Sequence, residues 1–330
     1  MKVLFVGGTG NLSLPASEEA LRRGFELVHL NRGRSGPALP GVETLHADVT
    51  DEDAARRVID TRSFDAVVDF IAYGQGDVER SIRLFGGICG QYVFLSSSSA
   101  YRKPPKSHLI VEDLPLGNPY WAYSRDKIAA EESLTAARAG GFPSTIVRPG
   151  HSYGRSWVPT PFGSSDFTIV GRMLAGKEVP VPGDGQAMWT ITHARDFAVG
   201  LVGLIGREEA LGEAFNIAGD EALTWDEIYA EIGRAFGVEP RLVHVPVEII
   251  ARAAPDFGEK ILGDKGWSTL FDCSKLRRLV PEFRSTIRFA EGMRQSADWL
   301  MANSGRRHSL LATETSIEAI LAAWKRTLSA

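Results

Sequence analysis

The chain has few cysteines and no long apolar run. Of its 330 residues two are cysteines, Cys89 and Cys273, which lie far apart without the spacing of a metal-binding motif. They fit a reducing cytoplasm and buried structural roles, and we predict no metal site. No apolar run approaches the roughly 20 residues of a membrane-spanning helix. The N-terminus carries one positive charge, Lys2, and passes directly into glycines, so we predict a cytoplasmic protein without a signal peptide.

The chain also lacks an excess of basic charge. Its formal net charge of -4 and its pI near 6.0 argue against nucleic-acid binding as the main task. A hydrophobic content of 44% and a charged content of 24% are typical of a globular protein in water. The length allows one large domain, or a domain with a sizeable annex. We therefore expect a small-molecule partner rather than a nucleic acid or a membrane.

A glycine-rich turn follows the first apolar run. Residues 3–6 predict a buried parallel strand, and Gly7, Gly10, Asn11 and Leu12 follow in the sequence GGTGNLS before a helical pattern. Glycines let a backbone approach a pyrophosphate, and the start of a helix offers free N–H groups. The spacing is G-x-x-G, and Ser13 occupies the position of a third glycine. A tight structural turn is the alternative interpretation.

The end of the second strand bears on cofactor preference. Residues 26–30 predict a strand that ends in Asn31, Arg32, Gly33 and Arg34. An acidic residue here would bind the ribose 2′-hydroxyl of NAD, whereas arginine accommodates the 2′-phosphate of NADP. The sequence therefore favours NADP, with NAD as the alternative. A solvated basic loop would have the same composition.

Further strands alternate with helical patterns, which predicts an α/β fold with a doubly wound parallel sheet. In such a sheet ligands bind beyond the carboxyl ends of the strands. The predicted strands comprise residues 42–47, 66–72, 92–95, 144–150 and 214–219. Several polar or small residues follow these strands and should meet at one edge: Asp48, Ala72, the serines Ser96 to Ser99, and His151.

A helix after the serines carries a candidate acid–base pair. Asn118 and Pro119 are typical of a helix start, and a helix to about residue 139 would place Tyr123 and Lys127 on one face. A neighbouring ammonium favours phenolate and should lower the tyrosine pKa from about 10. One of the serine hydroxyls could bind the same substrate oxygen. Taken alone, the pair also fits an ordinary solvated helix face.

Together these motifs resemble the extended short-chain dehydrogenase/reductase superfamily, in its NAD-dependent epimerase/dehydratase group. The resemblance covers roughly residues 1–240. It rests on the following motifs: Gly7-Gly8-Thr9-Gly10, Asp48, the strand-end serines, Tyr123 with Lys127, Arg148-Pro149-Gly150, and residues 192–198.

The resemblance implies roles for individual residues. Tyr123 would be the catalytic acid/base, and Lys127 would bind the nicotinamide ribose. Ser97, four residues before Tyr101, would be the catalytic serine, with Ser98 as the second choice.

At the adenosine end the resemblance implies that Asp48 contacts the adenine amino group and that Val49 lies beside Asp48. It also implies that Ala72 packs near the adenine ribose. It also implies a homodimer built on helices near residues 76–88 and 119–139.

The resemblance implies two parts of the chain. Residues 1–158 would form a dinucleotide-binding Rossmann domain. Residues 159–330 would form mainly a smaller α/β substrate lobe, interleaved with the last strands of the sheet. From the sequence itself, Thr224 and Glu227 form a capping box at a helix start, and later helices are predicted at 246–254, 287–302 and 316–328.

Two departures from the group bear on the substrate. Trp189 stands where nucleotide-sugar epimerases carry a diphosphate-binding arginine, which disfavours a nucleotide diphosphate-sugar. Trp189 could stack on a sugar or an apolar ring, or simply pack between the lobes. Ser98 and Ser99 stand where dehydratases carry Asp-Glu, so elimination lacks its proton-transfer pair. His151 is a further candidate pocket residue, although a structural role is the more common one.

Three functions remain open. The first is an NAD(P)-dependent oxidoreductase that acts at a secondary alcohol or ketone of a small sugar-like or cyclic substrate. The second is a sugar epimerase that retains NAD. The third is a non-catalytic cofactor-binding scaffold or redox sensor, for which an intact Tyr123, Lys127 and Ser97 would be unnecessary.

Overall fold

The computed structural model describes residues 1–33 and 39–329, so the predicted cofactor contact Arg34 lies outside the described residues. The strands are short and mostly apolar, as in a buried sheet. Their bounds are β1 (Lys2–Val6), β2 (Glu26–Asn31), β3 (Glu43–His46), β4 (Ala66–Asp69), β5 (Tyr92–Leu95), β6 (Leu109–Ile110), β7 (Ser144–Pro149), β8 (His151–Tyr153), β9 (Glu178–Pro182), β10 (Met188–His193), β11 (Ala214–Ile217), β12 (Ala222–Thr224), β13 (Arg241–Val245) and β14 (Leu270–Phe271).

Seven of these strands form one parallel sheet in the order β11-β7-β5-β4-β1-β2-β3. The predicted doubly wound sheet is thus confirmed. The chain runs outward from β1 to β3 and then returns to β4 on the other side of β1. A crevice forms at the carboxyl ends of the strands where the winding direction changes, here between β1 and β4.

Helices cover both faces of the sheet. The described α-helices are α1 (Ser13–Arg22), α2 (Glu52–Ile59), α3 (Gln75–Phe85), α4 (Ala122–Arg138), α5 (Thr168–Leu174), α6 (Ala194–Leu204), α7 (Trp225–Ala235), α8 (Val247–Ala253), α9 (Pro255–Lys260), α10 (Ser274–Leu279), α11 (Phe289–Ala302) and α12 (Leu311–Leu328). Helices α1, α6 and α10 pack on one face, and α2, α3 and α4 pack on the other. The apolar side chains of each face form a separate buried cluster.

The start of α4 differs from the prediction. The helix begins at Ala122, three residues after Pro119, and Trp121 is its N-cap. The Asn118 side chain instead accepts hydrogen bonds from the N–H groups of Tyr120 and Trp121, both at 3.2 Å, and so closes the turn that precedes the helix. The capping box of Thr224 and Glu227 at the start of α7 is confirmed.

The C-terminal part has its own buried core, in which Trp189, Trp225 and Tyr229 are fully buried. It contains a sheet of order β12-β10-β8 and the pairs β13-β9 and β14-β6. Strand β11 returns from this part to the edge of the main sheet. A π-helix, Ile261–Lys265, directly continues α9. The division of the chain at residue 158 stays a prediction.

The helices expected to form a dimer surface, α3 and α4, offer few apolar side chains for it. Phe85 and Leu134 have no exposed surface, because α3 and α4 pack on each other and on the sheet. Ile82 and Ile128 are half-buried. Among the described residues, no helix has the length and apolar character that crossing a membrane requires.

Candidate active site

The glycine turn between β1 and α1 is shaped by close approaches that exclude side chains. Gly7 has φ +83°, and a Cβ there would lie 2.7 Å from Ile71 Cγ2. A Cβ on Gly8 would lie 2.2 Å from the ring of His29. Ser13 occupies the position of a third glycine, and its Oγ accepts a hydrogen bond from the N–H of Gly10 at 2.7 Å. This hydrogen bond stabilises the turn. The turn therefore presents bare backbone at the start of α1, which suits a phosphate group.

A cavity of about 350 Å³ extends from this turn across the ends of β2 and β3. The predicted cofactor residues Asn31, Arg32, Asp48 and Val49 line it together with the glycines. Arg32 Nη1 lies 3.7 Å from Asp48 Oδ2. A carboxylate and an exposed guanidinium thus stand together at the predicted adenosine end.

Ala72 does not lie where the resemblance placed it. It is buried and lines neither this cavity nor the one beside it, and its carbonyl oxygen accepts a hydrogen bond from Lys127 Nζ at 2.9 Å. Its neighbour Ile71, with 43% of its surface exposed, lines both cavities. The strand end thus contributes Ile71 to the predicted cofactor site and uses Ala72 to fix the lysine.

A second cavity, of about 490 Å³, adjoins the first at Gly7 and Gly10. It brings together the predicted catalytic and substrate residues Ser97, Ser98, Tyr123, Lys127 and His151, and Asn11 and Leu12 of the turn also line it. These predicted residues, although Gly7 and His151 lie 144 positions apart in the sequence, therefore line one continuous crevice at the sheet edge.

Lys127 is almost fully buried and is held in place by backbone oxygens. Its Nζ donates to the carbonyls of Ala72 at 2.9 Å and Leu95 at 2.8 Å. The amine lies over the rings of Tyr73, Phe94 and Tyr123, at 4.7, 4.8 and 5.8 Å from their centroids. Burial lowers the pKa of Lys127 to about 8, against the opposing effect of nearby carboxylates.

Tyr123 is also shifted towards its neutral form. Burial raises its pKa to about 12; a hydrogen bond with Ser97 acts in the opposite direction, and Tyr73 and Asp264 add to the rise. The net shift is therefore opposite to the lowering predicted from the spacing of Tyr123 and Lys127, because burial is its largest cause. The Lys127 amine donates to the carbonyls of Ala72 and Leu95 and not to the phenol oxygen.

The serine turn forms a chain of hydroxyl groups that reaches into α4. Ser97 Oγ lies 2.9 Å from Ser99 Oγ, and Ser124 Oγ donates to Ser99 Oγ at 2.8 Å. Both serine candidates, Ser97 and Ser98, line the cavity, and half-buried Ser97 is the one whose hydroxyl lowers the pKa of Tyr123. This arrangement favours Ser97 as the partner of the phenol.

A buried ion pair holds α4 against the sheet beneath these groups. Arg148 Nη2, on β7, donates to Glu131 Oε2 at 2.7 Å, and Arg148 Nη1 donates to Tyr101 Oη at 3.0 Å. Ser96 Oγ also donates to Glu131. Both charged residues are over nine-tenths buried, so the pair fixes α4 relative to the serine turn.

His151 and Trp189 have different places. His151 lines the cavity; its Nε2 lies 3.2 Å from Ser164 Oγ, and burial lowers its pKa well below the ordinary range, so the ring is neutral. Trp189 is fully buried and does not line the cavity. It packs at 5.9 Å from the His151 ring and 5.5 Å from Trp225. Trp189 thus packs within the C-terminal core and not between the lobes, and this position gives no support to its predicted contact with substrate.

A sequence profile described as "NAD dependent epimerase/dehydratase family" matches residues 86–218, which include the serine turn, Tyr123 and Lys127. The chain contains an epimerase/dehydratase family domain. It is 28% identical over 286 residues to 2′-dehydrokanamycin reductase of Streptomyces kanamyceticus, covering 86% of this chain and 80% of the relative. It is 29% identical over 276 residues to the chloroplast stem-loop binding protein of 41 kDa b of Arabidopsis thaliana, covering 78% and 68%.

The epimerase/dehydratase fold extends beyond the matched segment. The crystal structure of a UDP-glucose 4-epimerase from Thermus thermophilus in complex with NAD has a TM-score of 0.70 to this chain at 21% identity. The superposition covers 91% of this chain and 99% of that one. Most of the chain thus has the fold of this NAD-bound epimerase, and the family whose profile matches residues 86–218 is described as NAD dependent.

Several residues that line this cavity are not predicted by the sequence patterns. They are Ile71 and Tyr73 after β4, Trp121 before α4, and Asp264 and Lys265 at the end of the π-helix. Trp121 and Tyr73 flank Tyr123, with ring centroids at 4.8 and 5.8 Å. Trp121 could have been found, since it lies two residues before Tyr123. Nothing local marks Asp264 or Lys265.

Proposed function

We propose that this enzyme transfers hydride at a secondary alcohol or ketone carbon of a small sugar-like or cyclic substrate, with Tyr123 as the acid/base. The observation that carries the proposal is the shared cavity of Tyr123, Ser97 and Lys127, which opens onto the glycine turn. The intact set also weighs against a cofactor-binding scaffold. The formal net charge of -4 gives no support to a nucleic-acid role like that named for the Arabidopsis relative.

The residues around the glycine turn fit a dinucleotide. The side-chain-free positions Gly7 and Gly8 and the start of α1 suit its pyrophosphate, and the cavity lined by Arg32 and Asp48 suits its adenosine end. Lys127 would hold the nicotinamide ribose. When bound, the nicotinamide supplies or accepts the hydride.

The protein's own groups divide the remaining work. Ser97 would hold the substrate oxygen by a hydrogen bond, and Tyr123 would give a proton to that oxygen or take one from it. With a pKa near 12, Tyr123 is protonated at neutral pH, which prepares it to donate to a ketone oxygen. We propose reduction as the direction of the reaction, in keeping with the reductase among its relatives.

For the cofactor we propose NADP rather than NAD. Support comes from Arg32, which lines the adenosine cavity with 57% of its side chain exposed, and from the neutral Asn31 in the position of an acid. A guanidinium binds a phosphate monoester through paired charge-assisted hydrogen bonds.

The family also supports a second candidate, an epimerase that retains its cofactor. In that case the same proton and hydride transfers would occur twice, to opposite faces of one carbon. Release of NAD(P)H during turnover distinguishes the two, because an epimerase returns the hydride to its product.

The test is Tyr123→Phe, with Tyr120→Phe as a matched control. Tyr120 lies in the same segment but does not line the cavity. We expect Tyr123→Phe to lose at least roughly 100-fold in turnover with nearly unchanged cofactor affinity, because a positioned acid/base contributes about 10²–10⁴-fold. Tyr120→Phe should keep full activity. If Tyr123→Phe retained most of the activity, α4 would not be the catalytic helix.

A further inference from the structure

The cavity wall contributed by the C-terminal part carries a charged pair that the proposed chemistry leaves unused. Asp264 and Lys265, the last residues of the π-helix, line the cavity that holds Tyr123 and Ser97. We propose that Asp264 and Lys265 bind neighbouring hydroxyl groups of a polyhydroxylated, uncharged ring and so determine substrate specificity. This inference rests on the proposed hydride-transfer function.

The π-helix is locked against the catalytic helix, so the pair has a fixed position. Asn118 Nδ2 donates to Gly263 O at 2.6 Å and to Ser99 O at 2.9 Å, which ties the π-helix to the serine turn. A Cβ on Gly263 would lie 2.7 Å from Trp121 Cβ, so only glycine permits this approach. Single π-helical turns of this kind are frequent at functional sites.

Asp264 has hydrogen-bonding capacity that the described residues leave unused. The residue is 2% exposed, and Oδ2 lies 2.9 Å from Lys265 Nζ. Oδ1 is 3.6 Å from Lys103 Nζ, and neither of these two buried atoms has a hydrogen-bond partner among the residues described. Oδ1 thus has the Lys103 ammonium nearby but no hydrogen bond. A buried carboxylate oxygen without a hydrogen bond is costly, so a ligand hydroxyl that donates to Asp264 from the cavity would be favourable.

Lys265 is held in the cavity by its surroundings. Its Nζ lies 4.2 Å from the centroid of the Trp189 ring, which is itself fully buried. Trp225 Nε1 donates to the backbone oxygen of Lys265 at 2.8 Å. These contacts fix both the backbone and the amine of Lys265. The role of Trp189 is to hold the amine in place by a cation–π interaction.

The charges select among ligand types. A phosphate or carboxylate would face Asp264 directly, and no arginine lines this cavity among residues 1–33 and 39–329. An ammonium ligand would face both Lys265 and Lys127, which line the cavity. A hydroxyl group can donate to the carboxylate and accept from the ammonium, so neighbouring hydroxyls satisfy both residues without a charge conflict.

The experiment titrates cofactor-saturated protein with D-glucose, myo-inositol, cyclohexanol and UDP-glucose by calorimetry. We expect glucose or inositol to bind at least roughly tenfold more tightly than cyclohexanol, the ring with one hydroxyl, and UDP-glucose to bind no more tightly than glucose. Asp264→Asn should weaken polyol binding roughly tenfold or more, as loss of a hydrogen bond to a charged group requires, and leave the cofactor Kd unchanged.

Lys260→Met is the matched control for Lys265→Met. Lys260 also lies over an aromatic ring, that of Phe257 at 5.3 Å, but not at the cavity. Lys265→Met should weaken polyol binding, and Lys260→Met should not. If Asp264→Asn fails to bind cofactor, the comparison of these two lysine variants tests the proposal instead. Three results would each overturn the proposal. The Lys265 variant could bind polyols as tightly as the unmodified protein, or UDP-glucose could bind more tightly than glucose. The third is that no polyol binding is detectable at roughly 100 mM.

The same variants separate this proposal from the hydride-transfer function. Tyr123→Phe should bind the polyols normally and lose only turnover. If cofactor bound elsewhere than at the glycine turn, or if Tyr123→Phe stayed active, the function would fail whatever the polyol titrations gave. If those results held and the Asp264 and Lys265 variants bound polyols normally, only the specificity assignment would fail.

Discussion

Tyr123 and Lys127 show how burial competes with charge at single side chains. Their spacing on one helix face predicted a phenol made acidic by an ammonium, yet burial raises the tyrosine pKa to about 12 and lowers the lysine pKa to about 8. Both groups are pushed towards neutrality. Strong phenolate formation therefore needs a further positive charge, which an oxidised nicotinamide carries.

This balance gives a spectroscopic prediction. The difference between the 295 nm titrations of the unmodified protein and Tyr123→Phe should show Tyr123 ionising near pH 12, because burial disfavours phenolate. Oxidised cofactor should lower that midpoint by about 1–3 units, the usual effect of an opposite charge nearby. A midpoint below 10 without cofactor would contradict this account, as would a midpoint that oxidised cofactor leaves unmoved.

Arg32 gives a second prediction at a single residue. Arg32→Asp should reverse the preference from NADP to NAD and weaken NADP binding roughly 10- to 100-fold, since it removes charge-assisted hydrogen bonds worth about 1.5–3 kcal/mol. The control is Arg241→Asp, whose side chain is 65% exposed on another surface. Fluorescence titration of NADPH and NADH measures both affinities. Preference of the unmodified protein for NADH would mean that Arg32 is only a surface charge.

Among the elements, the sheet was predictable and the start of α4 was not. Short apolar runs followed by glycine or polar residues carry a strong local signal, and β1, β2, β4, β5, β7 and β11 fall where it predicted them. Asn118 is an equally plausible helix start in the local sequence, but its side-chain amide donates to the carbonyl oxygens of Ser99 and Gly263. A contact with a residue 145 positions away has no trace in local sequence.

The candidate site divides in the same way. Residues on the β-strand ends and on α4 were found because parallel strands bring their carboxyl ends to one edge. Asp264 and Lys265 reach that edge from a π-helix in the C-terminal part, and only the tertiary structure reveals them. Trp189 was misplaced for the same reason: its sequence position matched a substrate-binding residue, but its ring points into a core.

The ion pair beneath α4 gives a prediction for that helix. Glu131→Gln should lower the free energy of unfolding by about 3 kcal/mol, because it leaves Arg148 buried without its counter-charge. Glu132→Gln is a matched control, since the next residue of the helix is exposed. Urea denaturation measures both. Equal stability of the two variants would show that the ion pair does not anchor the helix.

In the molecule as a whole, the crevice lies between two sets of elements with different tasks. The seven-stranded sheet supplies the glycine turn, the serine turn and α4. The C-terminal part supplies His151 from β8 and the charged pair from the π-helix. In the proposed function, the chemistry and the substrate specificity come from different parts of the chain, so the substrate could change while Tyr123, Lys127 and Ser97 stay fixed.

The last prediction concerns the oligomeric state. The buried positions of two side chains limit the apolar surface that a dimer could use. The expected homodimer would pair α3 and α4 with their counterparts, but Phe85 and Leu134 are committed to the core of the single chain, which leaves Ile82 and Ile128 as the apolar contacts. We predict a dimer at tens of micromolar by light scattering. Ile82→Asp with Ile128→Asp should yield monomers, because each buried aspartate would lack a partner.

The control for that double variant is Leu174→Asp, an apolar residue on α5 with 39% of its surface exposed and far from α3 in sequence. It should leave the mass unchanged. Cofactor affinity, measured in all three proteins, should also stay the same, because neither Ile82 nor Ile128 lines either cavity. A monomeric mass for the unmodified protein at these concentrations would refute the dimer, and the packing of Phe85 and Leu134 into the core would then be the physical reason.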